Sequence, residues 1–170
     1  MSRMQGIRAH ANGANFELMI DAGCEWYDYK GIASVHKTPE PMRVLQNLGR
    51  GKFLSAYTKK AQPDYQGVLR GGRSIIFEAK HSGTDEISKR RVTKAQWEEL
   101  DKRERLGALC FVLVSFRFNV FSMVPWALWK DMENQVGRSH LKPSDEIVLD
   151  HRVRNSGGAI MFLDNIEGCL

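Results

Sequence analysis

The sequence predicts an α/β domain built on a mixed sheet. Three observations predict it. Apolar residues fall at helical spacing near the N-terminus. A set of short strand-like runs follows, punctuated by glycine turns. A second helical stretch then leads into the continuous apolar run ALCFVLVSF. At 170 residues the chain fits one domain, expected over residues 12–170. Residues 1–11 carry Arg3, Arg8 and His10 with no acid, which predicts a flexible basic arm.

From Gly13 to Lys30 the residues Phe16, Met19, Ile20, Gly23 or Cys24, and Tyr27 share one helical face. Asn12 or Asn15 can cap its start, and Gly31 ends it. Ile32 to His36 reads as a short strand, after which Pro39 and Pro41 break regular structure. Met42 to Thr58 reads as two strand-like runs about the turn Gly49-Arg50-Gly51. The insertion over residues 38–62 holds Arg43, Arg50, Lys52, Lys59 and Lys60 against one acid, Glu40. A ribbon of that charge has little apolar face to bury, so it is expected to protrude as a basic hairpin stalk.

Tyr65–Leu69 and Ser74–Ala79 read as strands around Arg70-Gly71-Gly72-Arg73, a strong hairpin signal. His81–Arg91 is polar and loop-like. Thr93 can cap a helix that runs to Arg105 and stops at Gly107. ALCFVLVSF reads as a central strand and NVFSMVPW as another. Pro125 opens a helix, PWALWKDMEN, and AIMFLDNI is one more apolar segment near the end.

Composition narrows the function classes. There are 25 Lys+Arg against 20 Asp+Glu, and the basic residues are clustered. Such a surface fits a polyanion such as nucleic acid, and charge alone fits an ordinary basic protein equally well. Cys24, Cys110 and Cys169 are far apart and form no C-x-x-C pair. That argues against a disulfide framework or a zinc site and for idle thiols in a reducing cytoplasm. The N-terminus lacks the apolar core of a signal peptide, and no apolar run approaches the roughly 18 residues that span a bilayer. The expectation is a soluble cytoplasmic protein.

The chemistry-bearing stretch is QPDYQGVLRGGRSIIFEAK, residues 62–80. Phosphodiester hydrolysis needs an activated water and a way to neutralise phosphate charge, and a divalent cation held by carboxylates supplies both. Mg²⁺ takes hard oxygens, commonly one or two carboxylates plus waters. Asp64 and Glu78 are candidate ligands, with the carbonyl of Ala79. Lys80 shares a face with Glu78 because strand side chains alternate, so it can serve the water or the transition state. The geometry carries a condition. A symmetric two-residue turn at Gly71-Gly72 sets Asp64 against Ala79 and away from Glu78. A bulge or an odd-length loop sets Asp64 against Glu78. The site reading requires such an irregularity; the alternative is a surface strand whose Glu78 and Lys80 pair weakly in solvent.

At these residues the chain resembles the PD-(D/E)XK nuclease superfamily and, within it, the RecU family of Holliday junction resolvases. The likeness runs through NFELMI, GIASVHKTPEP, AYTKKAQPDYQG, FEAK, Gln96 and GALCFVLVSF in order, and more weakly AIMFLDNI. It implies a restriction-endonuclease-like mixed sheet flanked by helices. It also implies a homodimeric Mg²⁺-dependent endonuclease (Mn²⁺ substituting) that nicks four-way DNA junctions symmetrically, and a recombinase as a possible partner. By match, Asp64 and Glu78 bind metal, Lys80 serves the reaction, and Gln96 completes the metal shell directly or through water. Glu17 matches an acidic position of the superfamily. Its placement also suits a helix N-terminus, and Gln96 also reads as an ordinary helix-surface residue. The hairpin corresponds to the family's stalk, whose Arg43, Arg50, Lys52, Lys59 and Lys60 would contact phosphates. Phe53 or Tyr57 would stack on unpaired bases or pack the ribbon itself. The chain departs from the family where Gln62-Pro63 replaces the usual Thr or Ser before the aspartate. The host, bacterial or phage-infected, is not fixed by these residues. Another nuclease of the superfamily, or a DNA-binding or annealing protein without catalysis, stands as the alternative.

Overall fold

A computed structural model of the chain describes residues 3–39, 42–57 and 62–164, with side chains over 11–39, 42–56 and 62–164. Lys59, Lys60, Cys169 and the Tyr57 side chain lie outside the described residues. In chain order the elements are α1 (Arg3–Tyr29), β1 (Ala33–Lys37), β2 (Met42–Gly49), β3 (Lys52–Tyr57), β4 (Tyr65–Leu69), β5 (Ser74–Ser82) and β6 (Ile87–Ser88). A 3-10 turn (Lys89–Arg91) leads to α2 (Lys94–Arg105), β7 (Leu109–Phe116), β8 (Val120–Pro125), α3 (Trp126–Lys130) and α4 (Met132–Val136). The chain continues through β9 (His140–Leu141), α5 (Glu146–Leu149), β10 (Arg154–Ser156) and β11 (Ala159–Met161).

The centre is a five-stranded sheet in the order β1-β4-β5-β7-β8. Only β5 and β7 run parallel; the other neighbours are antiparallel. A parallel pair needs a crossover, and α2 supplies it. β7 is buried at every position, as its unbroken apolar sequence requires of a strand covered on both faces.

The alternation of β5 divides the interior. Ile75 and Phe77 face a core shared with Phe16, Ile20 and Tyr27 of α1 and with Phe162. Ile76 faces a second core shared with Leu100 of α2, Trp126, Trp129 and Val148. On the α1 face the rings of Tyr65, Phe77 and Phe111 stack across three strands, at centroid distances of 4.9 and 4.5 Å. The C-terminal strands close this side: the Tyr27 hydroxyl accepts a hydrogen bond from the Leu163 N–H at 2.9 Å. Gly23 lets α1 approach β11, since a Cβ there would sit 2.2 Å from the Ile160 carbonyl oxygen.

Several elements differ from expectation. α1 begins at Arg3 rather than near Gly13, so residues 3–11, expected as an arm, carry helical backbone. Arg, Met, Gln and Ala are good helix formers and no proline intervenes; an apolar face marks where a helix is covered, not where it starts. β5 continues to Ser82 because its parallel partner β7 continues to Phe116. The stretch expected as loop after His81 therefore includes strand, then β6 paired with β9. The helix expected from Pro125 breaks at Asp131, whose carboxylate takes hydrogen bonds from the Asn134 and Gln135 side chains. The thiols of Cys24 and Cys110 are buried and pushed up to about 12, chiefly by burial, which fits inert thiols. No helix among the described residues is long and apolar enough to cross a membrane.

β2 and β3 form their own two-stranded sheet, joined by a tight turn in which Arg50 (φ 50°) and Gly51 (φ 76°) both take left-handed backbone. Its register shifts between Val44 and Gln46 and again between Asn47 and Gly49. The ribbon is not purely basic. Met42, Val44, Leu45, Leu48, Phe53 and Leu54 are each 49–59% exposed.

Candidate active site

The β4–β5 hairpin meets the condition that the sequence imposed. Tyr65 pairs with Phe77 and Val68 with Ser74, and the Leu69 N–H donates to the Arg73 carbonyl at 2.8 Å. Arg70, Gly71 and Gly72 thus form an odd-length loop, with Gly71 at φ 95° and Gly72 at φ 93°, values that a side chain would strain. Extended by one residue, this register sets Asp64 opposite Glu78. Both project on the α2 face of the sheet, since Tyr65 and Phe77 project on the other.

Here the side chains converge. The Lys80 ammonium donates to Glu78 Oε2 at 2.7 Å and reaches Asp64 Oδ2 at 3.5 Å. The Ala79 N–H donates to Asp64 Oδ2 at 2.9 Å. Glu78 is completely buried. Burial pushes its carboxyl up from 4.5 to about 8; Lys80 works against that shift and the Asp64 charge adds to it.

Gln96 enters from α2, and its own helix start aims it. Thr93 is the N-cap, and its side chain accepts from the Gln96 N–H. The Gln96 Oε1 accepts from the Thr93 N–H at 3.0 Å and from its hydroxyl at 3.1 Å, completing a capping box. With Oε1 so occupied, the NH₂ group turns to the sheet and donates to Glu78 Oε2 at 2.7 Å. The group that Gln96 presents to the site is therefore a donor held on Glu78.

A divalent cation fits these residues. Glu78 Oε1 is buried and has no hydrogen-bond partner, an arrangement that costs stability unless something binds it. It stands beside a second carboxylate, and hard oxygens from one or two carboxylates are what Mg²⁺ takes. Among the described residues no group of three or more His, Cys, Asp or Glu side chains could hold a metal, so this site rests on a carboxylate pair.

The other expected residues lie elsewhere. Glu17 is on the α1 face and pairs with Lys37 at 2.6 Å, not with Asp64, Glu78 or Lys80. The Lys37 ammonium is raised, first by that hydrogen bond. Arg43, Arg50, Lys52 and Phe53 are exposed on the β2–β3 ribbon, apart from the carboxylates in the fold's hydrogen-bonded sheets. Sequence reasoning missed Lys37 and the Ala79 N–H. Lys37 has no local signal; the Ala79 contact follows once the hairpin register is known.

The sequence model of the RecU family (Recombination protein U) matches residues 11–158. The Holliday junction resolvase RecU of Streptococcus gordonii is 28% identical over 161 residues, covering 91% of this chain and 71% of that one. The Holliday junction resolvase RecU of Bacillus pumilus is 32% identical over 159 residues, covering 88% and 77%. Among solved structures, Hjc, a Holliday junction resolvase of Archaeoglobus fulgidus, matches with a TM-score of 0.45 and 14% identity, over 68% of this chain and 78% of that one.

Proposed function

The chain belongs to the RecU family, and from that premise we infer that it is a cation-dependent endonuclease that resolves four-way DNA junctions by paired symmetric nicks. The observation that carries the chemical part of this reading is the buried Glu78, with an open oxygen, tied through Lys80 to Asp64. Asp64, Glu78 and the Ala79 carbonyl would hold Mg²⁺, or Mn²⁺ in its place. The cation supplies an acidified water and charge neutralisation at the scissile phosphate. Lys80 stands between the carboxylates, where it can orient the attacking water and balance the phosphate in the transition state. Gln96 fixes the Glu78 rotamer from α2. Glu17 acts at one remove, holding Lys37 at the end of β1, the strand next to Asp64.

The β2–β3 ribbon is assigned to DNA. Arg43, Arg50 and Lys52, with Lys59 and Lys60, would neutralise phosphates of the converging arms, and Phe53 or Tyr57 would stack on unpaired bases. Its half-exposed apolar side chains support a homodimer, in which a second copy covers part of the ribbon and two equivalent sites cut strands of opposite polarity. The setting is the cytoplasm of a bacterial or phage-infected cell, with a recombinase as a partner of matching purpose.

The test is cleavage of an immobile four-way junction, a linear duplex and a nicked circle, each with and without Mg²⁺. Symmetric nicking of the junction that stops on chelation is expected. Equal cleavage of linear duplex would assign the site to a general nuclease. Junction binding without any cleavage would leave a DNA-binding or annealing protein. Light-scattering mass at micromolar concentration checks the dimer, and the mass of one chain would overturn it.

A further inference from the structure

β1 is an edge strand, and its register against β4 brings one more oxygen to the carboxylates. The pairing runs from Ala33 opposite Leu69 to Lys37 opposite Tyr65. It continues one residue further, because the Thr38 N–H donates to the Asp64 carbonyl at 2.9 Å. Thr38 therefore lies opposite Asp64, as Asp64 lies opposite Glu78. The three form a lateral row across three strands, and directly opposite residues of antiparallel strands project on one face, about 5 Å apart at Cβ. The alternation of β1 agrees. Ala33 and Val35 enter the α1 core and Lys37 reaches Glu17 of α1, so Thr38 projects on the opposite face, with Glu78.

The Thr38 hydroxyl oxygen is buried and has no hydrogen-bond partner. So is Glu78 Oε1. Two unsatisfied oxygens thus flank Asp64 in the row, one from each neighbouring strand. A buried oxygen left unpaired costs stability unless something binds it. Valine has the same branched shape and suits a strand equally well, so packing alone gives no reason for a hydroxyl here.

Resting on the cation site of the preceding reading, we propose that Thr38 Oγ1 is a further oxygen donor to that cation, bound directly or through one of its waters. It sits on the side of Asp64 away from Glu78. A hydroxyl suits this place better than a third carboxylate. It adds a hard oxygen, of the kind that Ser and Thr give Mg²⁺ in nucleotide sites, without adding negative charge beside two acids.

Mn²⁺ binding to metal-free protein, followed by electron paramagnetic resonance, tests this without any cleavage assay. Wild type, Glu78→Gln, Thr38→Val and Thr38→Ser are compared, with the thermal midpoint of each metal-free protein. Wild type should bind, and Glu78→Gln should lose binding. Thr38→Val should weaken Mn²⁺ about tenfold while the metal-free midpoint holds or rises, because an unsatisfied hydroxyl has been removed. Thr38→Ser should recover most of the affinity. If Thr38→Val binds Mn²⁺ as tightly as wild type while Glu78→Gln does not, the Thr38 assignment is wrong and the carboxylate site stands. A lowered midpoint with unchanged affinity would make the hydroxyl purely structural. If Glu78→Gln itself binds like wild type, the cation site falls, and Thr38 with it.

Discussion

The rim of the central sheet and the β2–β3 ribbon are built on opposite principles. At the rim every charged group is held from several directions. Lys80 spans two carboxylates, Asp64 is fixed by a backbone N–H, and Glu78 is gripped from α2 by a glutamine that its own helix cap has aimed. The ribbon is held by its own ladder and a turn, with its apolar side chains half in solvent. Chemistry that needs a fixed distance between reacting groups belongs where neighbours over-determine each rotamer. Phosphate contact tolerates a looser element, because charge attraction is long-ranged and independent of sequence.

The comparison breaks most sharply at Glu78. Glu78→Gln should lower junction cleavage at least about a hundredfold while junction affinity stays near wild type; lost binding in a folded variant would show that the rim and the ribbon do not divide the work. The same carboxyl has a pH signature. Its folded value of about 8 lies above the unfolded 4.5, so the unfolded chain releases this proton first as pH rises. Stability of the chelator-treated protein should therefore fall between about pH 4.5 and 8 and level off above that. Glu78→Gln should flatten this slope in urea titrations run across that range.

Next in size is Gly67 of β4. A Cβ there would lie 2.1 Å from the Ser34 carbonyl oxygen and 2.6 Å from the Val35 Cα. Gly67→Ala should cost about 2–3 kcal/mol, measured by chemical denaturation, and should disturb the β1–β4 pairing beside the site. An alanine of unchanged stability would mean that β1 is not held tightly to β4.

Replacing Arg43, Arg50, Lys52, Lys59 and Lys60 by Ala should weaken junction binding about tenfold or more. Each lost phosphate contact should lower the slope of log affinity against log salt by about one unit. Midpoints of unfolding should move little. An unchanged salt slope would remove the ribbon from the DNA interface. The smallest effect is expected at Thr93. Thr93→Ala removes the cap of α2 at about 1 kcal/mol and takes away one of the two hydrogen bonds that hold the Gln96 oxygen, leaving the backbone N–H, so cleavage should drop several-fold with binding intact. Equal cleavage would show that Glu78 does not need Gln96.

The parts legible in the sequence are those with short-range causes. Glu78 and Lys80 share a face because strands alternate. The Arg70-Gly71-Gly72-Arg73 stretch announces a hairpin, and the need for an odd-length loop follows from placing Asp64 against Glu78. The Thr93 cap is readable from residue type, although not the use of the same glutamine as a clamp on the site. The ribbon reads as basic because charge is conspicuous, while its six half-exposed apolar residues emerge only once the fold shows that no other described element buries them. Thr38 and Lys37 escape detection altogether. Their neighbours, Asp64 and Glu17, are far along the chain, and strand order across a sheet leaves no local trace.

The sequence by itself determined the strands of the central sheet, the helix before the apolar strand β7, and which of their side chains share a face, since rotation per residue in a strand or helix is fixed by backbone geometry. Tertiary structure decided what those faces mean. The crossover through α2 lays β5 beside β7, with Glu78 next to Val112, and buries the carboxylate that turns would have left wet. The Glu78 shift and its open oxygen arise from that burial. Desolvation depends on every element packed around a group at once, and no single stretch of the chain contains it.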